Sequence, residues 1–521
     1  MDMVSFPECV ASANAVLNGP HGAVALLARQ RGQSRQKLYR QAHSLADSAL
    51  PDRRLKRFAT RRRLVRLRRR WRRLRRRLRH AVGCDLDRRA RFAATAQAEG
   101  VSLPVARRLL AVFLGQHTPS VATLGRDAHD AAQRAAPLLE VLDEHSRSQV
   151  RQGAGDEIFV GSKPILMVVE QRSLCWQVGQ LAKDRTGATW AEQLRPLTNL
   201  EQLSKDDGSG LAKGLDLVNQ QRQARGLAEV EDQADHFHLV REGCRALRRV
   251  EAQAQKAATR QAQAAAGLAR ADRQGHKRTG PAARLRLRVA QAEAALDRWV
   301  RQGDAFERLR EQLKLFTPQG QLNSRAAAEA AVAACLEELT GPQWKKFRRQ
   351  VSRQAVWTYL DRVEQGLARL PEEGGAKALL VRAEGLRARP ELSRAEGPSG
   401  AAARGVLLAA AVLLAAGGER LEGLRSAIRG VLRGSWRSSS LVEGLNSVLR
   451  MGQARHRRLS QGLLDLKRLY WNLRAFRTGQ RKKRTPYQLL GLALPVSDWW
   501  EVLKLTPEQL RQQLSGPPLA A

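Results

Sequence analysis

Apolar positions recur mostly every three or four residues along this chain, the spacing that builds one face of a helix. In "GAVALLARQRGQSRQKLYRQA", residues 22–42, Val24, Leu27 and Ala28 follow that spacing, Gly32 supplies a turn, and Ser34 is suited to cap a second helix. Residues 90–150 read as helical, and so does nearly everything from 241 to 479, with breaks at "GHKRTGP", "PEEGGAK" and "RPELSRAEGPSG". The texture changes once, from residue 155. "EIFVG", "PILMVVEQ" and "LCWQVGQLA" are short, apolar, β-branched runs divided by turn residues, and they predict three strands. "TGATWAEQLRPL" then predicts a helix, "LEQLSKDD" a fourth and rather polar strand, "SGLAKGLDLVNQQRQA" a helix, and "ADHFHLV" a fifth strand or a strand–helix junction. The run "GVLLAAAVLLAAGG", residues 405–418, falls short of the roughly 20 apolar residues of a membrane span and reads as a buried helix.

With 521 residues the chain exceeds one ordinary core, so roughly two to four domains are expected. Charge changes the picture more. Lys and Arg number 91 against 50 Asp and Glu, a formal +41. Such an excess repels itself unless a polyanion neutralises it, and nucleic acid is the obvious one. The N-terminus lacks a basic start followed by an apolar block, so no signal peptide is expected. Cys9, Cys84, Cys175, Cys244 and Cys335 form no CxxC pair, which argues against a zinc ribbon or a disulfide framework and for a reducing, cytoplasmic setting; the basic charge adds an expected nucleoid association, and the lack of a long apolar span an expectation of no membrane partner.

The basic residues cluster. The second helix of the 22–42 segment carries Ser34, Arg35, Gln36, Lys37 and Arg40, side chains suited to phosphates and base edges, so residues 1–50 read as a helix-turn-helix; the alternative is an ordinary helical hairpin with a solvated basic face. Residues 51–84 form an Arg-rich helix in which Leu64, Leu67, Trp71, Leu74 and Leu78 step by three and four. That stripe wants a helical partner, and Arg68, Arg72 and Arg75 around it would meet DNA. Residues 85–150 are read as a second helical DNA-binding module. A late basic loop, "TGQRKKRTP", adds Arg481, Lys482 and Lys483.

Against this background the acidic residues stand out. Three strands, helix, strand, helix, strand and a later helix is the layout of an RNase H-like domain, whose phosphoryl-transfer chemistry uses carboxylates from two strands and one late helix. Two divalent ions about 3.5–4 Å apart serve that chemistry, and hard cations call for oxygen ligands. Asp156 opens the first strand, Asp206 or Asp207 ends the fourth, and Glu443 lies on a late helix with Asn446 and Arg450 on the same face. Glu157 should point to the opposite face of the strand from Asp156.

These residues resemble a DDE-type transposase of bacterial insertion sequences. "DEIFVGSKPILMVVEQRSLCW" is similar to that family's first β-hairpin, "SKDDGSGLAKGL" to its D-G-x-x-G-L element, which favours Asp206, and "VEGLNSVLR" to its Glu helix. "ADHFHLV" places Asp235 and His238 at the C/D-x-x-H spacing of Mutator-like and related families, which share a helical insertion before the Glu. "YWNLRAFRTGQRKKRTPYQLLGL" resembles the basic C-terminal tail of many such enzymes. The resemblance implies an α+β multidomain chain: the helical N-terminal region, an RNase H-like domain in two parts (151–240 and 431–491), an all-helical insertion (241–430), and a tail (492–521). It further implies that Asp156, Asp206 and Glu443 bind two Mg²⁺ ions, with Mn²⁺ as a substitute, and that water attack frees a 3′-hydroxyl at the element's end, which then attacks target DNA. Asp235, His238, Asn446 and Arg450 would support the site. Double-stranded DNA, as terminal inverted repeats and target, is the implied partner, held by a homodimer or larger assembly. Two other expectations compete: a non-catalytic, architectural DNA-binding relative, and an RNase H-fold nuclease that cuts without strand transfer.

Overall fold

The computed structural model describes residues 6–48, 65–70, 85–455, 459–494, 496 and 498–515. The chain divides into two compact units, residues 1–86 with 110–118, and residues 87–109 with 119–521. The first unit contains α1 (Phe6–Leu17), α2 (Ala23–Gln30) and α3 (Arg35–Ser48). Gly32 turns the chain between α2 and α3 at φ +59°, a left-handed conformation that glycine takes without steric cost. Leu38 and Ala28 are buried between the helices, and the Ser34 hydroxyl accepts from Lys37 N at 3.2 Å. Ser34 is therefore the helix cap, while Arg35, Gln36, Lys37 and Arg40 are exposed on α3. In the Arg-rich segment, residues 65–70 are helical and Arg68 is exposed; Leu64, Trp71, Arg72, Leu74, Arg75 and Leu78 lie outside the described residues.

The second unit is α+β and mostly helical. It begins with α4 (Leu86–Ala98, from residue 87), the first part of α5 (Leu103–Leu114), and α6 (Val121–Ser146). One five-stranded mixed sheet follows, formed by β1 (Gln152–Val160), β2 (Lys163–Glu170), β3 (Trp176–Leu181), β4 (Gln202–Lys205) and β5 (Glu231–Ala234) in the order β3-β2-β1-β4-β5. β1–β2 and β2–β3 are antiparallel, while β1–β4 and β4–β5 are parallel. β2 is buried on both faces, which explains its unbroken apolar run. β4 is central despite its polar sequence, because Lys205 is buried against Asp232, Nζ to Oδ2 3.0 Å.

Helices α7 (Gly187–Leu194) and α8 (Ser209–Ala224) cover one sheet face through Trp190, Leu211 and Leu215. Gly155 permits the close approach, since a Cβ there would lie 2.9 Å from Leu211 Cδ2. β5 leads at once into α9 (His236–Arg273), so the stretch 234–240 is a strand–helix junction with the strand lying upstream. α9 and α10 (Thr279–Gln312) form a long hairpin. Then come α11 (Arg325–Glu338), α12 (Lys345–Val351), α13 (Thr358–Ala368), α14 (Ala376–Ala388), α15 (Pro390–Arg394) and α16 (Pro398–Arg433). This insertion has its own core around Phe306, Trp344, Phe347 and Leu380.

Both sheet edges are covered, which removes the hazard of unpaired strands. On the β5 side, Tyr359 N donates to Gln233 Oε1 at 2.8 Å and Arg362 reaches both Glu231 and Glu201 at 2.9 Å. On the β3 side, α18 (Gln461–Leu473) supplies amide side chains in place of a strand. Asn472 accepts from Trp176 N at 2.8 Å and donates to its carbonyl at 2.9 Å; Gln461 treats Leu181 N and Gly179 O likewise. α18 follows α17 (Ser440–Arg455) and precedes α19 (Pro486–Leu490), α20 (Trp499–Leu503) and α21 (Pro507–Ser515).

Three sequence expectations change here. Residues 492–521 are not a simple tail, because Trp499, Trp500, Leu503 and Leu510 are buried in a core with α6 and α18. That core also takes Ala94, Ala131 and Leu138, so apolar faces of α4 and α6 serve packing within the second unit. The 405–418 run is not buried. It belongs to the 36-residue α16, kinked at Gly418, with Leu408 and Val412 at 66% and 60% exposure. By length and composition alone, α16 could cross a membrane.

His236, at the start of α9, is buried where the insertion meets the sheet. Its Nε2 lies 2.9 Å from the Val356 carbonyl, and its backbone N–H donates to Arg437 O. Burial lowers its pKa from 6.5 to about 4, against the opposing pull of the Val356 carbonyl. The unfolded chain thus takes up this proton first as pH falls. The stability tied to neutral His236 is complete above pH 6.5 and is lost between 6.5 and about 4. Thermal unfolding followed from pH 7 downward should show this loss, and His236→Gln should flatten it.

Candidate active site

Strand register builds the site. β1 and β4 pair Gly155 with Lys205, and β4 and β5 pair Lys205 with Ala234. Next in sequence come Asp156, which lies midway along β1 rather than opening it, and Asp206 and Asp235, just past the ends of β4 and β5, so three carboxylates meet where β4 and β5 stop beside β1. Carboxyl ends of parallel strands are where open α/β sheets place ligands. On β1, Asp156 shares its face with Ala154 and Ile158, which pack on Val442, Leu445 and Leu449 of α17. Glu157, next in line, points away to Arg185, Oε1 to NH1 2.6 Å. The alternation of a strand thus separates the acidic pair into one site residue and one ion-pair residue.

α17 brings Glu443 and Asn446 over Asp156. Asn446 is fully buried and its Nδ2 donates to Asp156 Oδ2 at 2.5 Å, while Glu157 N donates to Oδ1 at 2.8 Å. The Asp156 carboxyl is nonetheless raised from 3.8 to about 6, chiefly by burial, with repulsion from Asp206 and Glu443 adding to it. These three acids, far apart in sequence, are therefore electrostatically coupled. The Arg450 side chain lies outside the described residues.

The structure separates Asp206 from Asp207. Asp206 Oδ1 accepts from Gly208 N at 2.9 Å and faces Asp156. Asp207 turns to the insertion, accepting from Gln350 Nε2 at 2.8 Å and pairing with Arg353, which also reaches Asp232 at 3.5 Å. A crevice of about 20 Å³ bordered by Asp206, Asp235, His238, Gln350 and Arg353 has room for one water or ion.

Asp235 caps α9, accepting from Phe237 N at 2.7 Å and His238 N at 3.4 Å. Its Oδ2 also receives His238 Nδ1 at 2.6 Å and the hydroxyl of Ser439. Burial by itself would raise the Asp235 carboxyl; hydrogen bonds from His238 and Ser439 outweigh it and hold the carboxyl low. His238 is raised above 6.5, first by its bond to Asp235, and its Nε2 lies 3.8 Å from Glu443 Oε1. Sequence reading missed Ser439, which has no motif around it and enters only because, as the residue before α17, it meets Asp235 at the start of α9. It missed Asn472 and Arg468 for the same reason. Of the late basic loop, Arg481 is committed to backbone carbonyls of Arg172 and Gln171, at 2.9 and 3.4 Å, while Lys482 and Lys483 are exposed.

Among the described residues, no three histidine, cysteine or carboxylate side chains close into a preformed metal cage. The donor chemistry still suits a hard divalent cation. All three acids offer oxygen, burial and mutual repulsion outweigh the Glu157 N bond and the nearby His238 at Asp156, and among the described residues no hydrogen-bond donor meets the buried Asn446 Oδ1. No family model, no curated protein and no solved structure matches this chain.

Proposed function

We propose that the second unit is an RNase H-like catalytic domain and that the chain is a DDE-type transposase, cutting and joining DNA strands with divalent metal. The observation that carries this reading is the coupling of Asp156 on β1, Asp206 at the end of β4 and Glu443 of α17 on a β3-β2-β1-β4-β5 sheet, in a chain of net charge +41. The strand order, the strand–helix order and the late acidic helix all support it.

In this reading Asp156, Asp206 and Glu443 would hold the divalent ions, which when bound offset the negative charge of phosphoryl transfer. The protein's own part is positioning. Asn446 and Glu157 N fix the rotamer of Asp156, and Gly208 N fixes Asp206. Ser439 and Asp235 hold the His238 ring so that Nε2 faces Glu443. The insertion, tied to Asp207 and Asp232, sets one wall of the site. Exposed Arg35, Gln36, Lys37 and Arg40 would grip element ends, and two ends cut together would require a dimer or larger assembly.

The test uses DNA flanking the coding sequence, with Mg²⁺. Wild type should release a 3′-hydroxyl at the element's end and join it to target DNA. Asp206→Asn and Glu443→Ala should each lose cleavage by about 10²–10³-fold or more while DNA binding survives. Asp207→Asn, whose partners are Gln350 and Arg353, should cut within a few-fold of wild type. Loss of cleavage in Asp207→Asn with retention in Asp206→Asn would exchange the two roles. Binding without any cleavage by wild type would favour an architectural protein.

A further inference from the structure

The hairpin of α9 and α10 is longer than its packing requires. Near the base, α9 and α10 join the insertion core through Val250, Ala305 and Phe306. Farther out, the buried residues between 252 and 292 are three alanines, Ala254, Ala271 and Ala292. So thin a seam contributes little to stability, and most helix stability in proteins comes from tertiary packing. The same stretch has nine cations, from Lys256 to Arg288, and a single acid, Asp272, which pairs with Arg278 at 2.5 Å. Self-repulsion along this arm disfavours it unless an anion is bound.

The cations are also arranged. Arg260 on α9 and Arg284 and Arg288 on α10 border one cleft of about 420 Å³, where Ala264 and Gly267 keep the wall low. Among the described residues, no carboxylate lines it. Its spacing from the site follows from the helix, since α9 runs unbroken from His238 to Arg260, and 22 residues at 1.5 Å rise span about 33 Å. A B-form duplex completes one turn in roughly the same length.

We infer that the distal half of this hairpin is a clamp for the phosphate backbone of duplex DNA, placed about one helical turn from the reacting phosphate. The inference rests on the reading that the acidic site acts on DNA. Guanidinium groups recognise phosphate oxygens without regard to base sequence, so the arm contributes affinity and register and leaves end recognition to other surfaces. An anionic membrane could also attract basic residues. The match between the arm's reach and a duplex turn, on a helix that starts in the acidic site, favours DNA.

The test compares the full-length protein with Arg260→Gln/Arg284→Gln/Arg288→Gln on a mixed-sequence duplex of about four turns, without divalent metal, across a salt titration. Binding should weaken for every sequence tried, and the slope of log affinity against log salt should fall by about two to three. The lysine triple variant should restore most of that slope, which separates lost charge from a melted arm. An unchanged slope in the glutamine variant overturns the clamp; if wild type still cuts DNA in Mg²⁺, the catalytic reading stands without it. Arm-dependent binding by a protein that never cuts supports the clamp and removes the catalytic reading. Arm-dependent capture of phosphatidylserine vesicles, with duplex binding independent of the arm, overturns the clamp.

Discussion

Asp156→Asn should abolish metal-dependent strand cleavage and at the same time make the metal-free protein more stable. The two effects share one cause. In the native state the carboxyl is held at about 6, mainly by burial and then by Asp206 and Glu443, whereas in an unfolded chain it returns to about 3.8. Between those values the native state keeps a proton that the unfolded chain has lost. Stability therefore falls as pH rises from about 4 to about 6, and above that window the full cost remains. Two pKa units correspond to about 3 kcal/mol, so a gain on the order of 2–3 kcal/mol is expected at neutral pH. The asparagine should cost little, because its new N–H donors can meet the buried Asn446 Oδ1. Denaturant unfolding at pH 7.5, above the range where His236 titrates, measures the effect. Mg²⁺ should stabilise wild type and leave Asp156→Asn nearly unchanged. A destabilised Asp156→Asn protein, or one that still responds to Mg²⁺, would remove Asp156 as the strained ligand of the site.

Arg468→Met should destabilise the second unit by about 3 kcal/mol, the low end of the cost of breaking a buried ion pair, because Asp143 keeps a second partner. Arg468 lies on α18 with 9% of its side chain exposed. It donates to Asp143 Oδ2 of α6 at 2.8 Å and to the Gln177 carbonyl of β3. Burial opposes its charge, yet Asp143 more than offsets this, and the guanidinium holds its proton more firmly than usual. Without it, Asp143 retains Arg147 at 3.1 Å, itself partly exposed, and Gln177 O loses a donor. Because buried ion pairs are often no better than apolar side chains of similar size, Arg468→Met/Asp143→Leu should recover most of the loss. Urea unfolding of the two variants distinguishes this from simple loss of packing, in which case the double variant would be worse than the single. Since α18 covers the β3 edge through Asn472 and Gln461, the single variant should also raise aggregation.

Much of the candidate site was legible before any coordinates. Asp156, Asp206, Glu443, Asp235, His238 and Asn446 do gather in one place: acids on strand and late-helix patterns marked the first three, the D-x-x-H spacing of the resemblance marked Asp235 and His238, and a place one turn along the helix marked Asn446. Asp206 and Asp207 are adjacent and chemically identical, so only the family resemblance favoured Asp206; in the structure Arg353 and Gln350, nearly 150 residues away, engage Asp207. Ser439, Asn472 and Arg468 were invisible for a related reason. Isolated polar residues on helices usually face water, and only the packing of α17 and α18 on the sheet assigns them buried partners. The exposure of Leu408 and Val412 and the burial of Trp499 and Trp500 were misread because apolar content tells how much surface seeks cover and leaves open where cover exists.

By itself, then, the order of residues determined the local facts: helix and strand periods, the cap at Ser34, the alternation that parts Asp156 from Glu157, and a charge that calls for a polyanion. These depend on neighbours within a few positions, where backbone geometry is nearly independent of the remaining chain. The tertiary structure alone decided which strands lie side by side, which acid faces Asp156, what the insertion grips and how far the basic arm extends. Those depend on register and packing between segments hundreds of residues apart, where shape and desolvation settle the outcome and no short pattern records it.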